Sequence, residues 1–181
     1  MSTKNPKLGS PGARLGAFLI DAAATYFVQI AGGIIGLMIA GLMSRKMDPT
    51  LPPEALQKAQ MTGMMLGAFF WATVFGFTNT VILQGLYGST VGKKLLGLQV
   101  INEDGSIIGI PKAFGRHLCT LISALPLYLG FAALLWTPRR QTFHDSICGT
   151  LVIERDSAGA MRALPPAPNE APKSPSFPNA A

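Results

Sequence analysis

Arg14 and Asp21 stand seven positions apart, about two helical turns, so a helix carrying both would present them on one face. Two chemistries fit a carboxylate so placed at the edge of an apolar run. Asp21 could bind a cation or a proton, with the Arg14 guanidinium adjusting its proton affinity. Alternatively, the two could pair with each other and fix where the helix enters the headgroup layer. A second group lies near the far end of the chain, where His144 and Asp145 follow the basic pair Arg139 and Arg140. This group could pass protons, or it could tie the end of a segment to lipid phosphate and to Arg14. If Asp21 and Asp145 both reached Arg14, a shared ion pair would close the bundle, and deleting one partner would cost several kcal/mol.

Other polar residues sit inside apolar sequence. Thr78, Asn79, Thr80 and Gln84 interrupt one hydrophobic stretch, either to line a path or to hydrogen-bond a neighbouring helix, with Gln29 as the expected partner. Lys93 and Lys94 are expected to meet anionic lipid headgroups, as are Arg139 and Arg140. Gly88 to Lys94 looks like a phosphate loop only superficially. It has three residues between its glycines where four are needed, and Lys where Ser or Thr should follow. No hydroxyl has a positioned base, and the two histidines have no Cys or carboxylate at ligand spacing. Catalysis, a metal and a cofactor are therefore not expected.

The elements that must hold these groups follow from where charge is missing. The chain is 49% hydrophobic and only 13% charged, a mix whose excess apolar surface points to lipid. No Asp, Glu, Lys or Arg occurs from Ala22 to Ser44, from Ala59 to Gly92, or from His117 to Pro138. Each run can provide the roughly 20 apolar residues that a helix needs to cross a bilayer core. The expected class is thus an all-α integral membrane protein with about three hydrophobic helices, at about 15–43, 60–88 and 116–137. The first of these is too long for a signal-peptide core and contains Asp21, so a retained membrane helix is expected. The net charge of +6 is spread over termini and connections, not along one basic stripe, and gives no reason to expect nucleic acid.

Residues 1–13 and the proline-rich tail 157–181 are expected to be disordered, flanking a membrane domain at 14–156. Between the second and third hydrophobic runs, two β-prone stretches surround Asp104 and Gly105, a hairpin signal. A third β-prone run, Thr150 to Ile153, follows the last segment and would complete a small cytoplasmic β-element of two or three strands. Strands on opposite sides of a membrane cannot pair. If the third segment returns to its own side, broken near Pro126 and Gly130, one face holds twelve of the 15 Lys and Arg, and the other holds only Arg45, Lys46 and Lys58. That asymmetry favours an even number of crossings with both ends cytoplasmic, although the run is also long enough for a plain span. Gly32, Gly36 and Ala40 form one small-residue ridge, and Gly63 and Gly67 start another, offering contact surfaces between helices or between copies of the chain.

Three motifs together resemble the RDD family of small membrane proteins, named for one arginine and two aspartates. The opening motif is Arg14 to Asp21. The middle one runs from Gly88 to Val100 and on to Asp104 and Gly105. The closing one runs from Arg139 to Asp145 and continues through Gly149 to Val152. Together they cover roughly residues 13 to 155, with only the length and proline content of the first connection departing from the pattern. The resemblance implies that Arg14, Asp21 and Asp145 are the defining trio and that the chain lies in a bacterial cytoplasmic membrane. It also implies a subunit of a small-solute or cation/proton transporter, which two or three helices could form only as a homo-oligomer. The competing expectation is a non-transporting scaffold or assembly factor that binds a partner membrane protein.

Overall fold

The computed structural model describes residues 7–124 and 141–157. Helix α1 (Pro11–Met47) opens on Ser10, whose hydroxyl accepts the Ala13 N–H at 3.2 Å, with Pro11 at the first helical position where no N–H is needed. Arg45 and Lys46 occupy its last turn, where cations complement the helix dipole. The chain turns through Asp48, whose carboxylate accepts from the Thr50 N–H and hydroxyl. It then enters α2 (Pro53–Phe77), which continues through a π-helical turn (Thr78–Leu83) into α3 (Gln84–Tyr87). The continuous helix Pro53–Tyr87 has 35 residues and α1 has 37, so each is about 50 Å long against a hydrocarbon core of about 30 Å. Their outer faces expose Phe27, Ile34, Leu42, Met65, Leu66 and Phe69, a large apolar surface that suits lipid and would be a liability in water. Two helices are thus long and apolar enough to cross a membrane.

The two small-residue ridges face each other inside this hairpin. A methyl group built on Gly36 would strike the Gly63 carbonyl, and one on Gly67 would strike the Gly32 carbonyl, so the backbones touch there. Both ridges are thus occupied by contact between the two helices of one chain, the first of the two uses the sequence had suggested. Dispersion between closely approached backbones is what holds such helices in lipid, where apolar burial provides no net drive.

Beyond Tyr87 the chain caps on Gly88 in the left-handed region at φ 68°, which favours glycine. It then forms α4 (Val91–Leu95), β1 (Leu98–Asn102) and α5 (Gly109–Ala124), and later α6 (Phe143–Ile147) and β2 (Thr150–Glu154). Strands β1 and β2 pair antiparallel, Leu98 opposite Glu154 through Asn102 opposite Thr150. One face of this ribbon packs Leu98, Val100 and Val152 against Ala17, Ile108 and Ala113. The other holds Ile101, Leu151 and Ile153 with Leu8. The two-residue period of a strand places these sets on opposite sides.

Several expectations are corrected. The hairpin around Asp104–Gly105 shrinks to one bridge, Ile101 to Ile107, because Gly109 starts a helix and Pro111 has no N–H to continue a ladder. The Thr150–Ile153 run becomes the partner of β1 itself. The amino-terminal order also begins earlier than residue 14. Gly9 and Glu154 both donate along that edge, Gly9 N–H to Val152 O at 2.9 Å and Glu154 N–H to Lys7 O at 2.9 Å. The third hydrophobic segment is described only as far as Ala124. Its remainder, with Pro126, Gly130, Arg139 and Arg140, lies outside the described residues, as does nearly all of the proline-rich tail.

Candidate functional site

Two carboxylates organise the end of the hairpin that faces the sheet. Asp21 lies three turns into α1, beside the start of the π turn. The extra residue of a π turn shifts the helix face locally, and here it places Asn79, which is buried, against the carboxylate. The Asn79 amide donates to Asp21 Oδ1 at 2.9 Å, and its own oxygen accepts the Val91 N–H at 2.8 Å. The Gly92 N–H reaches the same Oδ1 at 2.8 Å, and the Thr90 hydroxyl donates to Oδ2 at 2.6 Å. Thr90 also caps α4 by accepting the Lys93 N–H at 3.3 Å. Only glycine fits at 92, since a Cβ there would meet the Ala17 carbonyl and the Asp21 carboxyl. Asp21 thus takes its hydrogen bonds from neutral donors and does not pair with Arg14, contrary to the reading in which the two pair with each other.

Asp145 is only 1% exposed and is held by cations. Arg14 reaches its Oδ2 at 3.1 Å, and Arg116 from α5 meets its Oδ1. The Thr142 N–H also donates to Oδ2 at 3.1 Å, so Asp145 caps the helix on which it sits. Arg14 spends its other donors on Val152 O at 3.2 Å and Gly9 O at 3.3 Å. Arg116 also donates to the Thr150 hydroxyl, which in turn lies 3.4 Å from the Asp145 carbonyl. One carboxylate therefore joins α1, α5, α6 and β2. Burial alone would raise its proton affinity, but Arg116, followed by His144 and Arg14, outweighs that and holds it down at about 2.

His144 is buried beside this pair, its Nε2 3.0 Å from the Thr142 hydroxyl. Burial, followed by repulsion from Arg116, lowers its pKa to about 3, so the imidazole is neutral at pH 7. Lys93 turns inward instead of toward headgroups. Its ammonium donates to Gln84 at 3.1 Å, and burial together with nearby Arg116 lowers its pKa to about 8. Lys94 is exposed, with its ammonium above the Tyr87 ring. Gln29 is exposed on α1, and among the described residues no hydrogen bond joins it to the polar stretch it was expected to serve. Thr80 instead approaches His117 Nδ1 at 3.1 Å.

The structure thus brings Asp145, Arg14 and His144 together, gathers Asp21 with Asn79, and places Gln84 with Lys93. Sequence reasoning missed Arg116, Thr90, Gly92, Thr142 and Thr150. Arg116 left a signal, since it is the charge that opens the third apolar run, but it was grouped with the connection before it. Chemically, both carboxylates are occupied acceptors. A proton or metal ion arriving at either would have to displace donors already in place. Among the described residues no group of three or more His, Cys, Asp and Glu is placed to hold a metal.

A family model described as the RDD family matches residues 8–149. Among curated proteins, the chain is 33% identical over 79 residues to the uncharacterized protein YxaI of Bacillus subtilis, covering 44% of this chain and 49% of that one. It is 34% identical over 94 residues to the proline-rich antigen of Mycobacterium leprae, covering 50% and 38%. It is 26% identical over 155 residues to protein FAM8A1 of Homo sapiens, covering 77% and 36%. The chain spans half or less of the length of these relatives. No solved structure matches it.

Proposed function

The chain belongs to the RDD family of membrane proteins, and on that premise we propose that it is a non-transporting membrane scaffold whose charged trio locks a cytoplasmic β-ribbon onto a helix hairpin. The observation that carries this reading is the saturation of both carboxylates. Asp21 accepts hydrogen bonds from Asn79, Thr90 and Gly92, whereas Asp145 accepts from Arg14 and Thr142 at Oδ2 and is ion-paired with Arg116 at Oδ1. Groups that cycle protons or ions need an acceptor that opens during the cycle, whereas groups that fix architecture need every acceptor filled. The pairing of β1 with β2 favours an even number of crossings, since one strand precedes and the other follows the third hydrophobic segment. The basic excess on that side then makes it cytoplasmic. The partner in this reading is another membrane protein, with lipid covering the remaining apolar face and a bacterial cytoplasmic membrane as the setting.

A transporter subunit is the second reading. It is favoured by the π turn within the polar stretch and by Lys93, whose proton affinity lies near neutral pH. The test reconstitutes wild type, Asp21→Asn and Lys93→Met in liposomes carrying an internal pH dye, with sodium, potassium or lithium gradients. The scaffold reading expects no cation-driven proton flux from any of them. It also expects native membranes to yield a hetero-complex that contains the protein. Flux in wild type that disappears in either folded variant would overturn the scaffold reading and establish transport.

A further inference from the structure

At the sheet-side end of the hairpin, the two long helices leave a patch of exposed apolar side chains that the clamp does not use. Leu15 and Leu19 stand exposed about one turn apart near the start of α1, and Tyr87 stands exposed at the end of α3. The connector between α4 and β1 joins them. The Leu96 side chain lies against Gly16, 3.0 Å from where a methyl group on that glycine would sit, and Leu95 before it is 69% exposed. On the other flank the Lys94 ammonium sits 5.8 Å above the Tyr87 ring. Single exposed leucines are ordinary on any surface, but these form a contiguous band from one long helix to the other.

We propose that this band docks into the phospholipid interface of the adjacent leaflet, so that the connector through Lys94, Leu95 and Leu96 holds the β-ribbon down on the membrane surface. Lipid is the fitting occupant because the band continues the lipid-facing surface of the hairpin. Leu15 and Leu19 share one face of α1 with exposed Tyr26 and Ile30, at intervals of four and seven positions. Depth agrees. The charge-free run begins at Ala22, and at about 1.5 Å per residue Leu19 and Leu15 lie roughly 5–10 Å beyond it, within the headgroup layer that flanks the core. A tyrosine with an ammonium over its ring presents an apolar body and a polar tip, which suits the level where acyl chains meet phosphate. Lys94 supplies the phosphate contact there, while Lys93 beside it is turned inward to Gln84. The inference rests on membrane insertion of the hairpin and is independent of whether the chain scaffolds or transports.

The experiment places one bimane fluorophore at a time on Leu95→Cys, Leu15→Cys or Ile34→Cys of the full-length protein, with both native cysteines replaced (Cys119→Ser, Cys148→Ser), in phosphatidylcholine nanodiscs. Phospholipids carrying a nitroxide at the headgroup, at a shallow acyl carbon or near the acyl terminus report depth by quenching. The proposal expects labels at positions 95 and 15 to lose most fluorescence to the headgroup and shallow-acyl nitroxides and little to the terminal one. Position 34, exposed midway along the charge-free run, should lose most to the terminal nitroxide. Lys94→Glu should lower the headgroup quenching at position 95. Quenching at position 34 with none at 95 and 15 would leave the band in water or under protein and overturn the proposal. Absence of quenching at position 34 would remove the hairpin from the bilayer, and the proposal with it.

Discussion

Asp21 and Asp145 are the same residue type in one small assembly, yet the chain neutralises them by opposite means. Asp21 is half-buried and surrounded by an amide, a hydroxyl and a backbone N–H, all supplied by the π turn and the short helix after it. Asp145 is fully buried and surrounded by two guanidiniums from elements remote in sequence. The difference teaches what each contact is for. Dipoles hold Asp21 without committing any charge to it, and so fasten the hairpin to the connector that follows. Full charges hold Asp145 so strongly that α1, α5, α6 and β2 cannot part without exposing an ion.

The largest test of that contrast is Asp145→Asn, which strands two buried guanidiniums. It should cost about 3–5 kcal/mol, read as loss of the folded fraction in denaturant titration in detergent, with replacement of Arg116 by Met comparably severe. A cost under 1 kcal/mol would place the pair in solvent. Acid should act next. His144 stays neutral in the fold down to a pKa of about 3, from an ordinary value of 6.5. Below pH 6.5 the unfolded chain therefore binds a proton that the fold refuses, and stability falls. The loss between pH 7 and pH 4 should be on the order of 3 kcal/mol. Below the ordinary 3.8 of a carboxyl, Asp145, with its pKa at about 2, adds a decline of the same sign. His144→Gln should flatten the upper part of the curve, and an unchanged slope would assign the acid response elsewhere. Asp21→Asn should cost only about 1–3 kcal/mol, since hydrogen bonds are lost but no ion is stranded. If it proved as damaging as Asp145→Asn, the contrast would fail. Lys94→Gln, at an exposed position, should change stability by less than about 0.5 kcal/mol in the same denaturant titration.

Much of this arrangement was legible in the sequence. Missing charge located the two long helices, the Arg14–Asp21 spacing marked the first motif, and the β-prone run at Thr150–Ile153 became β2. What was not legible depends on partners distant along the chain. The reach of Arg14 to Asp145 was anticipated, but nothing local says that Asp21, on the same helix, turns to Asn79 and Thr90 instead of joining that pair. Arg116 reads as a loop charge until α6 is seen beside it. The hairpin signal at Asp104–Gly105 was real as a turn, but Gly109 and Pro111 diverted its second arm into α5. The glycine ridges were identified correctly, but a spacing pattern cannot say whether its complement lies on the same chain or another.

The Arg14–Asp145 contact joins residues 131 positions apart, and this separation sets an order of assembly during synthesis. At roughly 5–20 residues per second, Arg14 waits about 7–26 s for its counter-ion to be made. The hairpin can enter the membrane and close on its glycines in that interval, while Arg14 still bears an uncompensated charge near the bilayer surface. Truncated chains that end before α6 would lack Asp145 and keep that charge exposed, leaving a nascent or damaged molecule distinguishable from a finished one by its first helix alone.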